Sequence, residues 1–526
     1  MNSQSTFDIP LDSLPPSYPT TKSRTDPDPI RRAETGTPEP REVTQEPRGH
    51  EFSQLPPVDG GKDAWLFLAA CFVVEGLVWG FPYSFGVFQD YYSTHPPFSS
   101  SSNLAVIGTC SMGIMYLDIP LIMAFFRRYP RFARWSPILG LLVMCFALAM
   151  SSFSKTVTHL IITQGIFYGV GGSIAYSPCI VYLDEWFVRK KGLAYGIMWS
   201  GTGLAGVVLP PLLEHFLSEY GHQTTLRIWA VAVFVLTAPL AWFLKPRIRV
   251  SVGGRAAAAS EATSVSTFTP GRTTLTNNAD TMTHVVPTPT PTPTPTPYNP
   301  SPSLSFVLTR PFLLYQLFNI IEALGFFLPG IYLPSYARSV LQAQTQGGGF
   351  LTSLTLLLLN VASVFGCIAM GWFIDRLDVT TCIMLSTAGT VLGTFLLWGF
   401  GTNLAVLYVF CVVYGFFAGS FTSAWPGIMR EVVKLGGSGG SDDGMGSNEH
   451  GSKPVDPTMV FAFLALGRGV GNVVSGPLSE VLVRGLPWQG KALAGYGSGY
   501  GGLIVFTGVT ALVGGGSFLW KRLGWL

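Results

Sequence analysis

Four ionisable residues lie deep inside long apolar stretches of this chain: Glu75, Asp118, Glu322 and Arg468. At 1.5 Å per helical residue, each sits roughly 12–17 Å from one end of its stretch. An unpaired charge at such depth in a bilayer costs on the order of 3 kcal/mol or more. Each must therefore pair, stay neutral or face a polar interior. Arg468 keeps its charge at any physiological pH. It is either a docking point for an anionic or carbonyl-rich solute, or half of a structural pair with Asp118 or Glu322. Glu75 and Glu322 occupy related depths. An enclosed carboxyl can take up and release a proton, which is the chemistry of proton coupling. The competing role is a neutral acid bonded to a neighbouring helix.

Helical spacing gives these residues companions. Glu75, Trp79 and Tyr83 recur at i, i+4 and i+8. Tyr315, Asn319, Glu322 and Phe326 recur at i, i+4, i+7 and i+11. Each set forms one stripe. Aromatic rings beside carboxylates suit a cavity for a partly aromatic solute, although such rings also pack between helices. Trp199 and Trp425 are further candidates for the wall. Glycines cluster at Gly192, Gly196, Gly201, Gly203 and Gly206, and again at Gly467, Gly469 and Gly471. They let helix backbones approach closely. The run Gly371-Trp-Phe-Ile-Asp375-Arg376 ends an apolar stretch. Its Asp and Arg can form a charge contact between helices that one conformation makes and another breaks. Asp118, Gly371, Asp375 and Arg376 are thus the structural and gating candidates.

The elements that must hold these groups follow from composition. The chain has 526 residues, 48% hydrophobic and only 12% charged. Soluble domains carry about 25% charged residues, so a soluble multidomain protein is excluded. The net charge of +3 gives no nucleic-acid surface. All seven cysteines fall in apolar stretches, with no disulfide framework or zinc-like pair. The expected class is an all-α membrane protein with twelve transmembrane helices between residues 65 and 520, each of about 20 residues. Residues 1–63 read as a disordered tail with no cleaved signal peptide. Residues 64–245 hold six spans and 311–526 hold six more. Between them, 246–310 is a linker with an alternating Pro-Thr run from Pro287 to Pro297. The short basic connections Arg127–Arg134 and Arg189–Lys191 put both chain ends on the cytoplasmic side.

The two halves repeat. Gly201 to Glu214 and Gly467 to Glu480 share the pattern Gly-x-Gly…Val-Val…Pro-Leu-x-Glu at constant offset, with Thr202 opposite Arg468. Tyr168-Gly169 through Pro178 likewise echoes Tyr414-Gly415 through Pro426. Equivalent spans in the same order and orientation imply two parallel six-helix bundles. Such bundles enclose a midplane cavity and can rock about a bound solute.

Two parallel six-span halves with a Gly-x-x-x-Asp-Arg loop resemble the major facilitator superfamily. Asp59-Gly60-Gly61 followed by Trp65, and Glu185-Trp186-Phe187-Val-Arg189-Lys190-Lys191-Gly-Leu-Ala194-Tyr-Gly196, resemble two motifs of its monocarboxylate porter family. The long Ser/Thr/Pro segments are similar to those of fungal members. The departures bear on the solute. Lactate-type members carry a lysine after Phe-Pro in span one, where this chain has Tyr83. They carry an Asp and an Arg in span eight, where the matching positions are Asn360 and Val364. The resemblance thus implies a solute-binding position at Asn360 without implying lactate.

The expected function is secondary transport of a small organic solute, a carboxylate or an aromatic or secondary metabolite. Alternating access would move it across a plasma, vacuolar or other internal membrane. Proton coupling and export from a biosynthetic pathway are consistent with the sequence. A non-transporting nutrient sensor on the same fold is the alternative. The solute-binding set is Arg468, Trp79, Tyr83, Asn319, Asn360, Trp199 and Trp425, and the proton set is Glu75 and Glu322. No cofactor, metal, nucleic acid or enzymatic activity is expected. The partners are the solute and the lipid bilayer, and the working unit is a monomer.

Overall fold

A computed structural model describes residues 56–99, 101, 104–247, 304–341, 349–438 and 455–524. Most of the expected tail at 1–63, most of the linker at 246–310 and the Gly/Ser-rich insertion near 436–453 lie outside the described residues. The described residues are helical and contain no strand. Eleven apolar helices appear: α1 Lys62–Thr94, α2 Ala105–Arg128, α3 Ser136–Ser151, α4 Val157–Trp186, then Lys191–Trp242, α7 Arg310–Arg338, α8 Leu351–Ile374, α9 Val379–Trp398, α10 Leu404–Leu435, α11 Pro457–Val483 and α12 Gly501–Arg522. Gly221 breaks Lys191–Trp242 into two with φ 71°, a backbone region that only glycine enters without strain. The part before it is α5 and the part after it α6. Twelve spans result among the described residues.

Local sequence sets where these helices start and bend. Asp456 caps α11, accepting the Thr458 N–H at 2.8 Å, with Pro457 as the first helical residue. Asn403 caps α10 through the Val406 N–H at 2.9 Å. α1 bends at Pro82–Ser84, and α2 breaks at Asp118 just before Pro120. α1 also runs past its expected end near 88 to Thr94. Its last turns lose the apolar pattern because they line the mouth of a cavity instead of facing lipid.

Packing repeats between the halves. α1 lies on α5 as α7 lies on α11, and α2 touches α4 as α8 touches α10. The two most extensive contacts between the halves are α5 with α8 and α2 with α11, and these too exchange under the repeat. Both depend on small residues. A Cβ on Gly192 would fall 2.6 Å from the Gly371 carbonyl oxygen, and one on Gly203 would fall 2.9 Å from Val364. At α2 and α11, a Cβ on Gly469 would fall 2.8 Å from Tyr116.

Candidate functional site

The inner face of these crossings encloses a cavity of about 1480 Å³. Its mouth lies at the face away from the first and last described residues, where Asp90, His95, Glu214, Arg338 and Glu480 border it. The opposite face, which carries the first and last described residues, is sealed by contacts between the halves. The Asp375 carboxylate accepts the Gly192 N–H at 2.7 Å and the Leu193 N–H at 2.9 Å, so α8 closes the N-terminus of α5. The sequence explains the fit. Gly371 and Gly192 let the helices touch, and a carboxylate suits the positive end of a helix dipole. The repeat-related corner uses inverted chemistry. Arg127 at the end of α2 pairs with Asp456, the residue that caps α11. Arg376 takes no part in either lock. It stacks on Trp372 at 3.8 Å on its own helix and donates to that residue's carbonyl.

Above this seal the cavity floor is aromatic. Trp199 of α5 lies 5.9 Å from Trp425 of α10 and 6.2 Å from Phe461 of α11, and Trp425 and Phe461 lie 5.4 Å apart. These rings come from both halves and meet only because α5, α10 and α11 converge there. Trp79 rises from the floor on α1, 4.6 Å from Tyr116 and 5.9 Å from Tyr176. Trp199 donates its indole N–H to the Tyr176 hydroxyl at 3.0 Å. Tyr83 faces Phe327 of the other half, nearer the mouth.

The deep charges resolve into two repeat-related pairs. Glu322 of α7 accepts from Arg468 of α11 at 2.7 Å, and the guanidinium also lies over the Phe326 ring at 4.3 Å. Glu75 of α1 accepts from the Thr202 hydroxyl of α5 at 2.7 Å. Thr202 and Arg468 are the same repeat position. Asp118 joins neither pair and accepts from Ser173 of α4 at 2.6 Å. Several buried polar atoms on the cavity wall have no protein partner: Glu75 Oε2, Trp79 Nε1, Trp425 Nε1, Arg468 Nε and Asn472 Nδ2. Buried polar groups are normally satisfied, so these atoms are available to water or solute in the cavity.

The expected site residues therefore separate. Glu75, Trp79, Tyr83, Trp199, Asn360, Trp425 and Arg468 share the cavity wall. Asn360 also donates to the Gly206 carbonyl at 3.2 Å, tying α8 to α5. Asn319 and Glu322 lie behind the wall, in the α7–α11 contact. There Gln316 donates to the Phe463 carbonyl, Asn319 to Leu464, and Arg468 to Glu322. A stripe at helical spacing does not tell which neighbour it faces, and here the neighbour is α11. Tyr116, Tyr176, Phe461 and Asn472 are wall residues absent from the expected set. Asn472 stands one turn beyond Arg468, and that helical spacing is the one signal in the sequence that could have found it.

The two sequence motifs near residues 59 and 185 meet. Asp59 accepts the backbone N–H groups of Val188, Arg189 and Lys190 at 2.8–3.0 Å, and Trp65 packs edge-on against Phe187 at 5.9 Å. Partial burial opposes ionisation of Asp59. The Lys190, Arg189 and Val188 N–H groups outweigh it and hold the carboxyl below the usual carboxylate range.

Twelve helices around a cavity that is open at one face and latched at the other define a membrane transporter. Residues 130–441 match the Major Facilitator Superfamily. The chain belongs to that superfamily. Its relatives include the MFS transporter asaE of Aspergillus flavus, 24% identical over 481 residues, which span 90% of this chain and 89% of that one. The fujikurins efflux protein of Gibberella fujikuroi is 22% identical over 387 residues, 72% of each chain. The solved nucleoside transporter NupG shares the fold, with a TM-score of 0.52 at 13% identity over 88% of this chain and 99% of that one.

Proposed function

We propose that this chain exports an aromatic small organic solute, a secondary metabolite, by alternating access. The observation that carries this reading is the cavity. Its aromatic floor and unpartnered polar atoms come from both halves, and its closed face is held by contacts that can be remade. The relative named for fujikurin efflux supports the outward direction. The basic connections at 127–134 and 189–191 assign the closed face to the cytoplasm, so the conformation is outward-open. The rocking units are residues 64–245 and 311–526, the plasma membrane is the setting, and a monomer suffices. Trp79, Tyr83, Trp199, Asn360, Trp425 and Arg468 contact the solute, and Glu75 carries the coupling proton. The Asp59–Val188 contact between two distant motifs supports placement in the monocarboxylate porter branch.

Metabolites inside and outside cells, compared between a strain lacking this chain and its parent, test the reading. One aromatic compound should accumulate inside the deletion strain. Unchanged partition of every compound under producing conditions overturns it. Solute flux in liposomes holding the purified chain separates transport from sensing.

A further inference from the structure

The repeat gives Glu322 and Glu75 the same station, the first helix of each half against the fifth. Their partners differ in charge. Glu322 is matched by the Arg468 guanidinium. Glu75 is matched only by uncharged hydroxyls, Thr202 at 2.7 Å and Tyr176 beside it. Its Oε2 is buried, lines the cavity and has no hydrogen-bond partner. The titratable side chains facing it are Tyr83 and Cys71 on its own helix, Tyr116 of α2, Tyr176 of α4 and Cys367 of α8. Phenols and thiols are uncharged at neutral pH, so none of these supplies a countercharge. The Tyr176 hydroxyl lies beside the carboxylate as a second uncharged polar partner. The rings of Trp79 and Tyr176 meet edge to face at 5.9 Å, and Trp199 is bonded to Tyr176.

A carboxylate among aromatic side chains, here Trp79 one turn along α1 and Tyr176 beside it, suits an organic cation. Hard metal ions require six or more oxygen ligands, and this corner offers one carboxylate and the hydroxyls of Thr202 and Tyr176. A protonated amine is satisfied by one carboxylate and aromatic faces. We propose that Glu75, Trp79, Tyr176 and Trp199 form a subsite for a protonated amine of the solute. The solute then brings to the N-terminal half the positive charge that Arg468 brings to the C-terminal half. This rests on the cavity being the transport site and adds the charge of its cargo. When the subsite is empty, a proton occupies the same carboxylate, so amine and proton exchange there one for one.

Three indoles of like shape and different charge test the proposal by calorimetry on the purified full chain: tryptamine (cation), tryptophol (neutral) and indole-3-acetate (anion). Tryptamine should bind about tenfold or more tighter than the other two, the worth of one charge-assisted hydrogen bond. Its binding in weak buffer should release a proton. Glu75→Gln should erase both the preference and the release. Thr202→Arg, which installs the cation of the other half, should do the same. If Glu75→Gln does not fold, Glu75→Asp must weaken tryptamine more than tryptophol. Equal binding of the three indoles leaves the cavity as a solute site and overturns the cation subsite. So does a preference that survives Glu75→Gln. If none of the three binds to the wild-type chain, the subsite is likewise overturned, and the metabolite comparison above judges transport separately.

Discussion

Asp375→Asn should tip the chain away from its outward-open state. The carboxylate accepts from two N–H groups at the start of α5, at 2.7 and 2.9 Å. An asparagine keeps one acceptor and turns its NH₂ toward the other donor. The loss is one charge-assisted hydrogen bond, about 1.5–3 kcal/mol, and a favourable dipole contact of about 0.3–1 kcal/mol. Asp375 is half-buried, and solvent screening keeps the change near about 2 kcal/mol. These bonds exist only while α5 and α8 meet at the closed face. The whole loss therefore falls on one state, and the ratio of outward-open to inward-open molecules should drop about 30-fold. Spin labels at Ser93 and Arg338, exposed residues of opposite halves at the mouth, report the ratio as a distance distribution. The short-distance population should grow in the variant. An unchanged distribution, or a shift to longer distances, refutes the latch.

Other substitutions probe separate parts of the same design. Gly192→Ala should act in the same direction as Asp375→Asn in the spin-label assay, because its Cβ meets the Gly371 carbonyl and the Asp375 carboxylate. Glu322→Gln strands a buried guanidinium and should cost about 3–5 kcal/mol in thermal unfolding, most of which Glu322→Leu with Arg468→Met should restore. Trp425→Ala removes a fully buried ring that closes the floor with Trp199 and Phe461, so solute flux should fall and thermal unfolding should lose about 3–5 kcal/mol, whereas Trp425→Phe, which keeps a ring there, should retain most of the stability. Asp59→Ala should lower the melting temperature at neutral pH. The folded-state pKa of Asp59 is depressed, so its contribution is complete above about pH 4 and fades as pH falls through the folded value; the gap between wild type and variant should close on acidification.

Much of this was legible in the chain itself, for identifiable reasons. Span length and apolarity depend on the bilayer alone, so the twelve helices could be counted without knowing their neighbours. Two limits are instructive. Lys191–Trp242 forms one unbroken run of helix except at Gly221, and only the composition on either side revealed a turn. The opposite fates of Asn319 and Asn360 could not be read at all. Both are amides at mid-span, but Asn319 faces α11 within its own half while Asn360 faces the cavity and α5 of the other. Helix rotation is set by packing partners, and no single stripe encodes it.

The repeat offered the information that the stripes lacked. Alignment of Thr202 with Arg468 is a statement about sequence, but it acquires meaning only when each is found on a glutamate of the first helix in its half. The closed face shows the same logic. There Asp375 reaches across to a helix start in one corner, and in the other a helix start carries its own Asp456 and receives Arg127. In each comparison equivalent positions are satisfied by different donors. A symmetric machine with two identical satisfied pairs would hold nothing. The place where the symmetry leaves a charge unmatched, at Glu75, is where the cavity has work for a cargo or a proton to do.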